Sequence, residues 1–545
     1  MVRGFRAVFL VMALILAVGG GAWAEDPVKG GTLLWRDPSD VPTLDPAKVT
    51  DNSSTRLALT IFETLVENDL EGKGVLPCLA ERWEGSDGGK VWTFHLRPGV
   101  RFQAQAEGQP TANGGREVRA SDVKYSIERL ILTDSPRAYF LDMVKGYQDF
   151  MSRDVTGVTE WAGVKVIDEK TVQFELDYPF APFVAMLAYP TFSVVPQEDA
   201  EKWGKDFGFH PVGTGAFAFE KWEHDIRISL KKNPDYWRTD ARGERLPYMD
   251  GVEFVVVPDD AVAYEELKKG NLDVFSYVPD EIYQDAREKF SDTLKESPAL
   301  AVSYYGFNMA KEPFGSNKAL RQAVNYAIDK NKLNELIYEN RVVPAVGVLP
   351  PGMPGYDVTD MKGYPYDLDK ARALMKEAGY EKGLECTLQI NNVQRHQRIG
   401  EAVQAMLMEV GITMNIVTVD WGTHIDALDR GEVPFFRYSW IADYADPDNF
   451  LYVLFHSANA GPKGNNCFYN NAEVDRMLDQ ARVEVDWNKR AALYHEAEKI
   501  IVDDAPWVFF FNPVNELLSV PRVKNIKLPT FGADWAPLYD VWLAQ

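Results

Sequence analysis

The sequence predicts an α/β protein preceded by an α+β portion, and three observations carry that expectation. From about residue 368 onward, helices with apolar residues at three- and four-residue spacing alternate with short apolar strands, the pattern of a doubly wound lobe. The first third instead mixes helices with strands that look antiparallel and are bounded by Gly and Pro. A chain of 545 residues can bury a large core and divides into two or more domains.

Taken in order, a short apolar segment from Gly30 leads into the turn-rich Asp40 to Pro46, and a helical pattern follows around Leu57, Ile61 and Leu65. Trp92, Phe94 and Leu96 alternate as a strand between Gly89 and Pro98-Gly99. Ser121-Asp122 opens a helix through Val123, Ile127 and Leu130, with Ser121 the expected cap. Val172, Phe174 and Leu176 alternate again. The Gly-rich His210 to Ala216 reads as a tight turn before paired strands over 217–230, and strands are expected at 252–257 and 271–274 around a short helix ending near Gly270. In the last part, Ala371, Leu374, Met375 and Ala378 form one helical stripe, closed by Gly379. Ile399, Val403, Met406, Leu407 and Val410 form a second, closed by Gly411. Strands fall at 386–390, where Cys386 is expected to be buried, and at 412–419; Asn488 is the expected cap of a final helix stopped before Pro506.

The stretch from Phe435 to Phe450, FFRYSWIADYADPDNF, concentrates chemistry. A short apolar strand carries the cation Arg437 and the indole of Trp440, then ends at Asp443-Tyr444 and a turn-forming Asp-Pro-Asp-Asn. A carboxylate at a strand end is costly without a cation or several donors. Odd-even counting puts Arg437 on the face of Asp443 but about 20 Å away along a straight strand. That separation suits the two ends of a short zwitterionic ligand; the alternative, that each finds its own structural partner, stands beside it.

Other motifs are weaker. Ser121-x-x-Lys124 lacks the triplet that accompanies it in serine acyl-transfer enzymes. Gly213-x-Gly215-x-x-Ala218 imitates a dinucleotide fingerprint, but strands rather than a helix follow. Asp446-Pro447-Asp448 lacks the glycine and glutamate of a calcium loop. Seven scattered histidines and three distant cysteines (Cys78, Cys386, Cys467) propose no metal site, no cofactor and no framework of disulfides. No catalytic constellation is expected.

Arg3 and Arg6, the apolar run 7–18 and Ala22-Trp23-Ala24 read as a cleavable export leader cut after Ala24, which places the protein in the periplasm. Its loss leaves the chain two units more negative than the full-length −23, a poor match for nucleic acid or an anionic membrane.

With these landmarks in order, the chain resembles the dipeptide- and oligopeptide-binding type of extracytoplasmic solute-binding protein that serves ABC importers, family 5. The resembling blocks are Leu76-Pro77 with Leu79 to Trp83, Gly89 to Arg97, Ala120 to Arg129, Val212 to Gly215, Asn233 to Trp237, Phe307-Asn308 with Pro313-Phe314, Arg321 to Asp329, and the W-x-x-D-Y-x-D-P form at Trp440. The resemblance implies a periplasmic-binding-protein-like fold of mixed sheets, with two α/β lobes around a cleft and an extra α+β domain. Its segments are a leader over 1–24, domain I over 25–55, 190–297 and 509–545, domain II over 56–189, and domain III over 298–508. It implies that Asp443 meets a peptide's α-amine, that Arg437 meets a short peptide's carboxylate, and that Tyr444 follows the anchor. It further implies that backbone on both sides of Trp440, at Ser439 and Ile441, and near Asp51-Asn52 pairs with the ligand and that Trp421 lines its side-chain pockets. The expected partners are a short peptide and an inner-membrane permease, with the protein a monomer and no enzyme. An oligosaccharide, an opine or a metal chelate is the alternative ligand, and a secreted hydrolase the alternative class. The family's usual Thr or Ser is Arg119 here, leaving Ser121 to take over the cap.

Overall fold

Residues Trp507–Ser519 form a strand of 13 residues that belongs to two lobes at once. Its first part pairs antiparallel with Ala301–Phe307, and its second part pairs antiparallel with Leu294–Pro298 and then Val274–Phe275. The structure, a computed structural model, describes residues 26–153, 157 and 160–545; the expected leader and its cleavage point lie outside them. Among the described residues no helix is long and apolar enough to cross a membrane.

One 12-stranded mixed sheet runs through both lobes. On one side of the shared strand its order is Phe217–Glu223, Arg227–Lys232, Gly251–Val256, Thr32–Asp37 and Val274–Phe275; on the other it is Ala301–Phe307, Phe435–Ile441, Leu384–Asn391 and Ile412–Val419. Leu384–Asn391 and Ile412–Val419 are parallel and joined by the helix Gln394–Met408, the doubly wound unit expected from the stripes. A separate four-stranded antiparallel sheet, Ala80–Ser86, Val91–Leu96, Thr171–Glu175 and Val164–Asp168, carries the helix Ala120–Leu132.

The apolar residues gather into three cores. Leu33, Trp35, Phe254 and Leu517 sit in one, Phe94, Ile127, Trp161 and Phe174 in a second, and Val302, Val403, Phe435, Ile501 and Trp507 in a third. Val91–Leu96 buries every second residue, as its alternation requires.

Two caps differ from expectation. Ser121 is exposed inside the first turn, and Asp122 instead accepts the Arg119 N–H at 2.9 Å while Arg116 grips its carboxylate. The last long helix, Trp487–Asp504, is capped by Asp486, which accepts from the Lys489 N–H, so Asn488 lies within the turn. Cys386 is only half-buried. The turn at Gly213 and Gly215 packs so tightly on the carbonyl end of helix Asn52–Ile61 that a Cβ on either would collide with it. A strand, not a phosphate-binding helix, follows.

In the third core, Glu498 is buried and accepts the N–H groups of Val348 at 2.7 Å and Leu349 at 2.8 Å. Burial pushes its carboxyl up to about 7.

Candidate functional site

The strand Phe435–Ile441 follows from a run of aromatic and apolar residues that favour a pleated, half-buried surface. One of its edges is fully paired, from Ala301↔Ile441 to Phe307↔Phe435. The other meets the parallel strand Leu384–Asn391 only at Gln389↔Phe436. Past that point His424 donates Nε2–H to the Arg437 carbonyl at 2.8 Å, while Ala442 N–H turns to the paired side and bonds Leu300. Alternation therefore leaves the peptide groups of Ser439 and Ile441 on an open edge. Ile441 is 73% exposed.

Arg437 lines a small cavity with Ser303, Tyr305, Tyr338, His396, Ile399, Phe510 and Phe511. Its guanidinium has no carboxylate partner among the described residues, and its Nε and the buried Tyr305 hydroxyl both lack hydrogen-bond partners. The groups that act on its charge are phenols, and burial lowers its pKa. His396 beside it is held neutral, its pKa brought down to about 3 by burial and then by Arg437. A desolvated cation without a carboxylate partner is costly to bury.

Asp443 stands just past the strand. Its carboxylate lies 3.9 Å from Arg137 Nη1, and burial raises its pKa while Arg137 opposes the rise. Asn449 Oδ1 accepts both the Asp443 N–H at 3.0 Å and the Trp440 indole N–H at 3.1 Å, so one amide fixes the anchor and the indole together. The Asp-Pro-Asp turn is a scaffold: Asp446 is paired with Arg490, and Asp448 sits 2.9 Å from Arg482 Nε.

Trp421 opens the helix Trp421–Asp429, is half exposed and stacks on Tyr438 with centroids 5.9 Å apart. Asn52 is exposed at the start of helix Asn52–Ile61, behind the cap Asp51. Tyr444 differs from its expected place at the ligand. Its ring is buried in the core of the four-stranded sheet's domain, and its hydroxyl donates to Asp448 Oδ2 at 2.8 Å. It holds the loop against that domain instead of lining the cleft. No ion pair joins Arg437, within the strand, to Asp443, past its end, and the two occupy separate surroundings.

Sequence reasoning missed Arg137, Tyr139 and Asn449. Arg137 donates to the Tyr139 hydroxyl at 3.2 Å and lies over the rings of Phe140 and Tyr189. Nothing in the local pattern Asp-Ser-Pro-Arg signals a contact with residue 443. For Asn449, the asparagine closing a turn was visible, but its two acceptances were not.

The profile of the family described as "Bacterial extracellular solute-binding proteins, family 5 Middle" matches residues 74–462. The dipeptide-binding protein of Escherichia coli (strain K12) is 35% identical over 461 residues, covering 82% of this chain and 83% of that one. Two structures of the murein tripeptide binding protein MppA are each 26% identical to it. The unliganded open form superposes with a TM-score of 0.82 over 95% of this chain and 97% of the other. The second, from Escherichia coli, superposes at 0.68 over 95% and 99%. On the extent of the profile match and of the identity to its relatives, this chain belongs to the family 5 bacterial extracellular solute-binding proteins.

Proposed function

We propose that this chain is the exported solute-capturing component of an ABC importer and that its ligand is a short peptide held between the two lobes. The observation that carries the reading is the unpaired guanidinium of Arg437, inside a strand with an open edge, and Asp443 just past that strand's end. An extended peptide adds to that edge through its main chain, whatever its side chains are. Asp443 takes the α-ammonium, the cavity of Arg437 and Tyr305 takes the carboxylate, and Trp421 offers an exposed aromatic wall to side chains between them. Asn52 faces them from the other lobe.

The same reading divides the chain into domain I (25–55, 190–297, 509–545), domain II (56–189) and domain III (298–508). The three apolar cores and the crossing strand support three such units, but Leu57, Ala58 and Ile61 of helix Asn52–Ile61 pack in the core of Leu33 and Trp35, so that helix goes with domain I and the boundary at 55 is too early. The leader delivers a soluble monomer to the periplasm, where it hands its ligand to a membrane permease without chemical change. Relatives named for dipeptides and a murein tripeptide support a peptide over a sugar.

The test is thermal unfolding of the leader-free protein, first stripped of co-purified ligand, against di- to pentapeptides, each free and N-acetylated. A ligand at about a thousand times Kd stabilises the bound form by roughly 4 kcal/mol. Stabilisation by free but not acetylated peptides is the expected result; silence across the panel overturns the peptide reading.

A further inference from the structure

Asp443 is not a lone anion. Arg137, carried by the turn before the short helix Ala138–Leu141 of the four-stranded sheet's domain, places Nη1 3.9 Å from its carboxylate. That gap is too long for a hydrogen bond and too short for the charges to be independent. Both side chains reach solvent, Arg137 being 22% and Asp443 28% exposed. Its other polar partners are neutral phenols, Tyr139, which is 53% exposed, and Tyr189, and its Nε has no partner. Phe140 and Tyr189 hold it in place by their faces.

A peptide's plain amino terminus fits this pair poorly, because the ammonium meets Asp443 and Arg137 together and is repelled by the second. A terminus that carries a carboxylate beside its amine fits it well. The ammonium bridges to Asp443, the carboxylate bridges to Arg137, and four alternating charges close a ring with contacts of about 2.7–2.9 Å. We infer that Arg137 is a specificity-determining residue that selects ligands whose first residue bears a carboxylate next to its free amine. Two sources share this chemistry: an α-linked peptide beginning with Asp or Glu, and a γ-linked glutamyl peptide whose α-carboxylate is free. The selection also answers a charge problem, since an acidic protein otherwise repels acidic ligands.

The inference rests on the peptide reading and deepens it. The experiment measures Kd by calorimetry for Gln-Ala, Glu-Ala and γ-Glu-Ala, with the wild-type protein, Arg137→Gln and Arg137→Lys. Wild type is expected to favour Glu-Ala or γ-Glu-Ala over Gln-Ala by roughly tenfold or more, in the range of measured close charge pairs. Which of the two leads tells the source. Arg137→Gln is expected to bring the three ligands level while still binding Gln-Ala, and Arg137→Lys to keep part of the preference. A wild-type protein indifferent to the carboxylate, or an Arg137→Gln variant that keeps the preference, overturns the inference and leaves the peptide reading standing. Failure of all three ligands, together with silence across the wider peptide panel, removes both. Should Arg137→Gln fail to fold, the wild-type preference and Arg137→Lys still decide.

Discussion

The loop from Asp443 to Asp448 has two sides built from the same kinds of residue and treated oppositely. On the inner side Asp446 and Asp448 each meet an arginine, the buried Arg490 and the half-buried Arg482, from the helices Trp487–Asp504 and Ala472–Val483. On the cleft side Asp443 has a cation only at 3.9 Å, and Arg437 has no carboxylate partner among the described residues. The inner side, its carboxylates met by cations, fixes the loop, and the cleft side leaves its charges without close partners. Residue type does not separate scaffold from site here; whether the partners are already present does.

The comparison breaks first on the scaffold. Asp446→Ala leaves Arg490 buried and unpaired and is expected to lose about 3–5 kcal/mol of stability, read from denaturant midpoints. Asp443→Ala is expected to lose about 2–5 kcal/mol of peptide binding with no fall in the melting temperature of the empty protein. An equal fall in both would erase the distinction between the two sides. The raised pKa of Asp443 adds a pH signature. Amine binding needs the ionised form, so affinity declines on acidification at a higher pH than an ordinary aspartate would show.

Glu498 is a third case, a buried carboxyl met by two N–H groups and no cation. Its folded pKa of about 7 lies above the unfolded value, so its contribution is full below about pH 4.5 and lost as pH rises through 7. Glu498→Gln is expected to stabilise the protein by up to ~3 kcal/mol at pH 8 and to be near neutral at pH 4.5. The smallest effect falls on Arg437→Met. Removing an unpaired buried charge is expected to leave the empty protein within about 1 kcal/mol of wild type, or above it, while carboxylate-dependent binding is lost.

Much of this was legible because periodicity is local. The strand at Phe435–Ile441, the parallel pair around Gln394–Met408 and the tight turn at Gly213 follow from neighbours in sequence. Caps were misplaced by one or two positions, at Ser121 and Asn488, where adjacent polar residues compete for one role. Tyr444 was read as facing the ligand because it adjoins the anchor, whereas a strand end turns consecutive side chains to different neighbours. Arg137 was invisible because its contact with Asp443 joins segments far apart in the chain, and no local pattern encodes that contact.

The strand Trp507–Ser519 also sets a timetable for folding. Trp35 pairs with Val274, Val274 pairs with Ser519, and Tyr304 pairs with Phe509. The sheet that begins near residue 32 is therefore sealed by residues made almost last. Contacts of such long separation are slow to form. A ribosome-bound chain short of Trp507 lacks the central strand of the 12-stranded sheet, so the two lobes close late, whereas the four-stranded sheet draws no strand from that end of the chain.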